Sequence, residues 1–171
     1  MVSELLAPPL TREAAWAVLD GVLDPEVPVL SVVELGIVRD VRLDGNQADV
    51  IVTPTYSGCP ATEAIRDAIV EALLAAGAER VNVRMQLAPA WTTDWIAPAA
   101  AEKLRRYGIA PPHLAGAPLG VQPLRFHPRD VPCPRCDSTR TEQLSAFGST
   151  ACKALYRCLA CREPFDYFKP I

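Results

Sequence analysis

The sequence predicts an α+β chain: a small mixed β-sheet packed with helices in the order α-β-β-α-β, followed by a C-terminal four-cysteine zinc ribbon. Three observations carry that prediction. A helical apolar stripe between Ala61 and Ala76 is flanked on both sides by segments that alternate apolar and polar residues. The turn sequence Asp44-Gly45-Asn46 separates two of those segments. Two Cys-x-x-Cys pairs, Cys133/Cys136 and Cys158/Cys161, lie near the end of the chain.

The first helix is expected to start at Thr11. Thr11 can cap it, Glu13 sits in the first turn, and Ala14, Ala15, Val18 and Leu19 form its apolar stripe before Gly21. Pro25 and Pro28 then keep residues 24–29 out of helix, so this stretch is a shaped loop. Residues 38–43 and 48–53 read as a hairpin. The main helix is expected to open at Pro60, with Ala61, Ala64, Ile65, Ala68, Ile69, Ala72, Leu73 and Ala76 on its buried face and Gly77 just past its end. In the next strand Val81, Val83, Met85 and Leu87 share one face, opposite Asn82, Arg84 and Gln86. A Trp-bearing loop and a short helix around residues 99–107 follow. Residues 108–129 hold five prolines and read as a stiff linker. The expected division is therefore 1–107, 108–129 and 130–171.

Half of the residues are apolar and 22% are charged, a globular composition with net charge −3 and no long run of one sign. That argues against a nucleic-acid or membrane-surface binder, whose affinity would rest on clustered Lys and Arg. The opening MVSELLAPPL has Glu4 and no basic region ahead of an apolar one, so it does not read as a signal peptide. No stretch approaches the roughly 20 apolar residues that cross a bilayer. A soluble, cytoplasmic protein is expected. Reduced thiols are the norm in that compartment, so the six cysteines point to metal chemistry rather than disulfides.

The two knuckles, separated by 21 residues, can offer four thiolates to one tetrahedral ion. A hairpin between 141–147 and 154–157 would bring them together. So small a piece lacks a sufficient core of its own, so the metal would supply much of its folding free energy. Tetrahedral sulfur sites take zinc or iron, and zinc is the expectation. From Asp130 onward there are six basic and five acidic residues, a balance that suits a structural or protein-docking module rather than a nucleic-acid ribbon.

Thr53-Pro-Thr-Tyr-Ser-Gly-Cys59-Pro60 places a lone cysteine at the expected helix start. If Cys59 caps the helix, the free amides favour its thiolate, the form that ligates metals. A small apolar residue tucked under the helix is the competing reading. A catalytic nucleophile would need a base, and His113 and His127 both lie in the proline-rich segment without a partner pattern. Asp24 and Glu26 could meet Cys59 if the sheet gathers the two loops at one edge, although turn chemistry explains Asp24-Pro25-Glu26 equally well. Cys152 is a sixth thiol, readable as a spare ligand, a transient iron ligand or a buried residue.

Asp24-Pro25-Glu26-x-Pro28, Glu34-Leu35-Gly36-Ile37-Val38, Thr53-Pro54-Thr55 and Gly58-Cys59-Pro60 resemble the iron–sulfur assembly family that includes SufT. The whole chain, with WTTDWI, YGIAPP, the two knuckles, FGSTACKALYRC and EPFDYFK, resembles the PaaD (PaaJ) family, encoded with the phenylacetyl-CoA epoxidase genes of aerobic phenylacetate degradation. The resemblance implies an accessory subunit without catalysis of its own. It would assist assembly of the iron–sulfur or di-iron centres, with the oxygenase and reductase components of the epoxidase as partners. Cys59 would handle iron or a cluster, with Asp24 and Glu26 on the family's acidic loop. The alternative is a noncatalytic interaction subunit of the oxygenase whose cysteines are structural. One departure is Pro170, where close relatives tend to carry a further cysteine after FDYFK, which weakens any role of the tail in binding iron. One thiolate per chain is too few for a four-thiolate cluster. A homodimer, a partner or non-protein ligands would have to complete it.

Overall fold

A computed structural model describes residues 10–56, 58–112 and 131–171. Most of the proline-rich linker, with His113 and His127, lies outside the described residues. The described chain forms two compact units, one ending at Trp91 and one beginning at Thr92.

In the first unit, helix α1 (Arg12–Leu19) is capped by Thr11, whose Oγ1 accepts the Ala14 amide at 3.1 Å. Its buried residues are Ala15 and Leu19. Arg12 ties the helix to the sheet by donating to the Val41 carbonyl at 2.9 Å. The hairpin pairs β1 (Val38–Asp44) with β2 (Gln47–Val52) in antiparallel register, Asp44 opposite Gln47. Gly45 in the turn adopts φ 57°, which glycine reaches without the Cβ penalty. Helix α2 (Thr62–Ala75) then crosses to β3 (Arg80–Met85), which pairs parallel to β2. The sheet order is β1-β2-β3. Ala48, Val50 and Val52 of β2 are buried, as are Ile65, Ile69 and Leu73 at the helical spacing of α2. The loop between α1 and β1 closes this core with Val27, Leu30, Val32 and Leu35. Trp91, also buried, donates its indole N–H to the Leu35 carbonyl at 2.9 Å.

The second unit starts with a short 3₁₀ turn (Thr93–Trp95) and α3 (Pro98–Tyr107), which ends on Gly108 at φ 94°. Strands β4 (Ile109–Ala110), β5 (Thr141–Ser145), β6 (Lys153–Cys158) and β7 (Pro164–Phe168) form a sheet of order β4-β7-β6-β5. The expected hairpin is β5–β6. Strands β4 and β7, and the grouping of α3 with the ribbon rather than with the first unit, are not among the features expected from the sequence. Strand β4 is two residues long and has no periodicity of its own; its parallel pairing with β7 makes it a strand.

Two expectations need correction. Helix α2 begins at Thr62, not Pro60, and its N-cap is Ala61, without a side-chain capping bond. Cys59 and Pro60 instead belong to consecutive turns: the Cys59 amide donates to Tyr56 O and the Thr62 amide to Cys59 O, both at 3.2 Å. The alternation in β3 also fails to bury its full apolar face. Val81 and Val83 are half-buried, whereas Met85 and Leu87 are 45% and 62% exposed, because the strand ends at Met85 and runs along the edge of the sheet.

Candidate functional site

Among the described residues, one group of three or more potential ligands is gathered: the sulfurs of Cys133, Cys136, Cys158 and Cys161, all within 4.8 Å of one another. Cys133 and Cys161 are 3.8 Å apart, and Cys136 and Cys158 are 3.6 Å apart. A tetrahedron with metal–sulfur bonds of about 2.3 Å has edges of about 3.8 Å, so the four sulfurs fit such an ion. The backbone builds each knuckle. The amides of Ala160 and Cys161 point at Cys158 Sγ at 3.4 Å, stabilising negative charge on that sulfur. After the second cysteine of each pair the chain enters left-handed space, at Asp137 (φ 58°) and Arg162 (φ 70°). Asp137 is held there by Arg105 of α3, whose guanidinium donates to its carboxylate at 2.7 Å.

Cys133 and Cys158 are fully buried and belong to a core with Ala110, Val131, Ala154, Tyr156, Phe165 and Tyr167. Tyr156 stacks on Phe165 and meets Tyr167 edge-on, at ring separations of 5.8 and 5.6 Å. As thiols the four groups share charge unequally. The Cys161 amide, with that of Ala160, lowers Cys158 to about 6. Cys161 is pushed up to about 12: the Glu163 amide favours its anion, but burial and the neighbouring thiols prevail. Burial raises Cys133. An ion would replace this proton sharing by ligating all four sulfurs, releasing their protons.

Cys59 is half-buried in the first unit and lines an open depression of about 500 Å³ with Pro54, Pro60, Glu63, Met85 and Leu87. The charges of Glu26 and Asp24 act on it, although neither residue lines the depression. These three do not form a preassembled ligand group of the ribbon's kind. The thiol lies above its ordinary pKa range, chiefly because burial disfavours the anion. The Ala61 amide and the Thr62 side chain oppose that shift, and the charges of Glu26 and then Asp24 add to it. The amides at the helix start therefore do not favour the thiolate as expected: the Ala61 amide helps, but desolvation outweighs it and the two carboxylates add to the shift. An arriving cation would reverse the balance, since the same carboxylates attract it and its charge favours the thiolate. Asp24 also has a local task. It is buried, and its Oδ1 accepts the amides of Glu26 and Val27 at 2.8 and 2.7 Å. Cys152 is buried on β6's approach, with Sγ 3.0 Å from Thr150 Oγ1, and is not part of the four-sulfur group. Thr62 and the apolar rim of Met85 and Leu87 are residues of the site that the sequence does not single out; the rim's signal is an apolar alternation running past the end of a short strand.

The fold and sites define a class: an α+β unit with one partly open cysteine, joined to a four-cysteine β-ribbon. Comparison with known proteins agrees. Residues 12–85 match the family described as iron-sulfur cluster assembly protein, and residues 120–169 match the PaaD zinc beta ribbon domain. Two solved structures resemble the first part. A domain of unknown function from Bacillus anthracis is 28% identical with a TM-score of 0.51, covering 54% of this chain and 90% of that one. A conserved hypothetical protein from Thermotoga maritima is 31% identical with a TM-score of 0.50, covering 57% and 97%. A protein of Escherichia coli (strain K12), provisionally named as one of the subunits of 1,2-phenylacetyl-CoA epoxidase, is 54% identical over 97% of this chain and 96% of its own length. The chain belongs to the PaaD family of 1,2-phenylacetyl-CoA epoxidase subunits.

Proposed function

We propose that this chain is an accessory, maturation subunit of a multicomponent 1,2-phenylacetyl-CoA epoxidase, with Cys59 as a transient ligand to iron or an iron–sulfur cluster on its way to the oxygenase or reductase component. The observation that carries the reading is a half-buried thiol at an open depression, within the electrostatic influence of Glu26 and Asp24. A thiol whose anion is disfavoured until a cation arrives suits transient holding better than permanent binding, because reprotonation then favours release. The iron–sulfur assembly match over residues 12–85 supports the same reading. Zinc is the metal of the Cys133, Cys136, Cys158 and Cys161 site, where it is structural. No helix among the described residues is long and apolar enough to cross a membrane, and the proposed site of action is the cytoplasm.

The deciding experiment replaces Cys59 with Ser and measures iron and acid-labile sulfide in the epoxidase components made in the same cells. The expected outcome is depleted cofactor at normal protein levels; full cofactor content removes the ligand role. A second reading, a noncatalytic interaction subunit with structural cysteines, draws on the two amide bonds of Asp24, which already give that carboxylate a fold-keeping task. It predicts that the Cys59→Ser components carry full cofactors. Metal analysis of protein purified without added metal separates zinc from iron in the ribbon.

A further inference from the structure

Val81, Val83, Met85 and Leu87 form one apolar alternation, yet its last two members are among the most exposed large apolar side chains of the first unit. Both line the depression that holds Cys59, together with Pro54 and Pro60. Exposed apolar side chains converging on a concave surface are the mark of an interaction site, because leaving them in water forgoes the free energy of burial.

Charge narrows the occupant. Glu63 is the charged residue of the lining, and Glu26 and Asp24 act on the thiol. Among the described residues no Lys, Arg or His lines the depression; Arg66 approaches Glu63 at 3.8 Å from one turn along α2, with both side chains largely exposed. A second copy docked about a two-fold axis would set these carboxylates against their own equivalents, which is unfavourable. A different protein with basic side chains meets no such repulsion.

We propose that Met85 and Leu87 seat a protein other than this chain, through a segment whose apolar side chains are flanked by Lys or Arg. The proposal deepens the maturation reading and rests on it for its choice of probe. On that reading the occupant is the client that receives the metal, and the rim brings client ligands to the Cys59 mouth.

The test uses the full-length, metal-loaded chain and the purified oxygenase and reductase components of the epoxidase as probes, in a titration binding assay. At least one component should bind. Leu87→Asp and Met85→Asp should each weaken that binding by about tenfold or more, as interface anchors do. Added salt should weaken the wild-type complex. Phe147→Asp, at an exposed aromatic of the ribbon, should leave it unchanged. Circular dichroism and metal content matching wild type establish that each variant is folded, with Leu87→Ser replacing any that is not. The proposal is overturned if no component binds, if both rim variants bind as tightly as wild type, or if salt has no effect. Self-association in the ultracentrifuge that Leu87→Asp abolishes would overturn it in favour of a second copy. Rim-dependent binding with full cofactors in the Cys59→Ser strain would sink the maturation reading alone. Depleted cofactors with rim-independent binding would sink the surface alone.

Discussion

In the first unit Leu19, Leu30, Val32, Val41, Val50, Ile69 and Leu73 are fully buried, and none of these side chains carries a polar atom. The second unit also buries Leu104 and Phe168, but its cluster around the ribbon combines Ala110, Val131 and Ala154 with Tyr156, Phe165 and Tyr167 and with two of the four ligand sulfurs. The first core holds no ligand atoms, and burial contributes to it at roughly 25 cal/mol per Å² of apolar surface removed from water. In the second, sulfur atoms that belong to a charged site stand inside the core, so its stability is tied to the ion. The same residue type thus does opposite work in one chain. Four cysteines gather around a shared centre, while Cys59 stays half-buried outside that group, at an open depression.

Metal removal should separate the units most strongly. Structural zinc contributes on the order of 10 kcal/mol to the folding of small domains. A strong chelator is therefore expected to abolish amide protection in β5, β6 and β7 while leaving α2 and β2 protected in hydrogen exchange. Loss of protection in both units would break the comparison. The reciprocal perturbation is Leu73→Ala, which empties a site of zero exposure on α2 and should cost about 2–5 kcal/mol. Denaturant unfolding should show the loss in the first unit, with the bound metal per chain unchanged.

Smaller effects sharpen the picture within each unit. Arg162 adopts φ 70° just past Cys161, where a side chain is disfavoured, and Arg162→Gly should raise the ribbon's stability by about 1 kcal/mol, part of the strain relief being offset by glycine's freedom in the unfolded chain. Asp137→Gly at φ 58° should gain less, because aspartate tolerates that region better and the contact from Arg105 is lost. Equal gains at the two knuckles would argue against a role for Arg105.

The smallest effect concerns Cys59. With its pKa raised in the folded state, the native chain binds the proton more tightly than the unfolded one. Its contribution to stability is therefore present below the unfolded thiol's pKa and declines as pH rises through the higher native value. Alkylation of native protein should lag that of denatured protein at mildly alkaline pH and converge with it at higher pH. Glu26→Gln removes one of the opposing charges and should speed native alkylation by about twofold at fixed pH. An unchanged rate would mean that burial alone sets the thiol's state.

Much of this was legible in the residues. Thr11 as a cap, the hairpin around Gly45, the stripe of Ile65, Ile69 and Leu73 and the two knuckles all arise from interactions between residues close in sequence, and all are present in the structure. Cys59 was harder to read. Proline suits both a first helical position and a turn, and here the turn hydrogen bonds of Cys59 delay the helix to Thr62. The direction of its pKa was hidden for a similar reason, since it depends on burial and on residues 33 and 35 positions away in the chain.

The sequence by itself determined the α+β class, most of the elements and the four-sulfur centre, because backbone periodicity, turn chemistry and ligand spacing are local. Only the tertiary structure decided that α3 and β4 join the ribbon, that burial and the charges of Glu26 and Asp24 disfavour the Cys59 thiolate, and that Met85 and Leu87 face solvent. Those outcomes depend on which distant segments fold against one another, and hence on desolvation, long-range charge and strand pairing that no short stretch of residues contains.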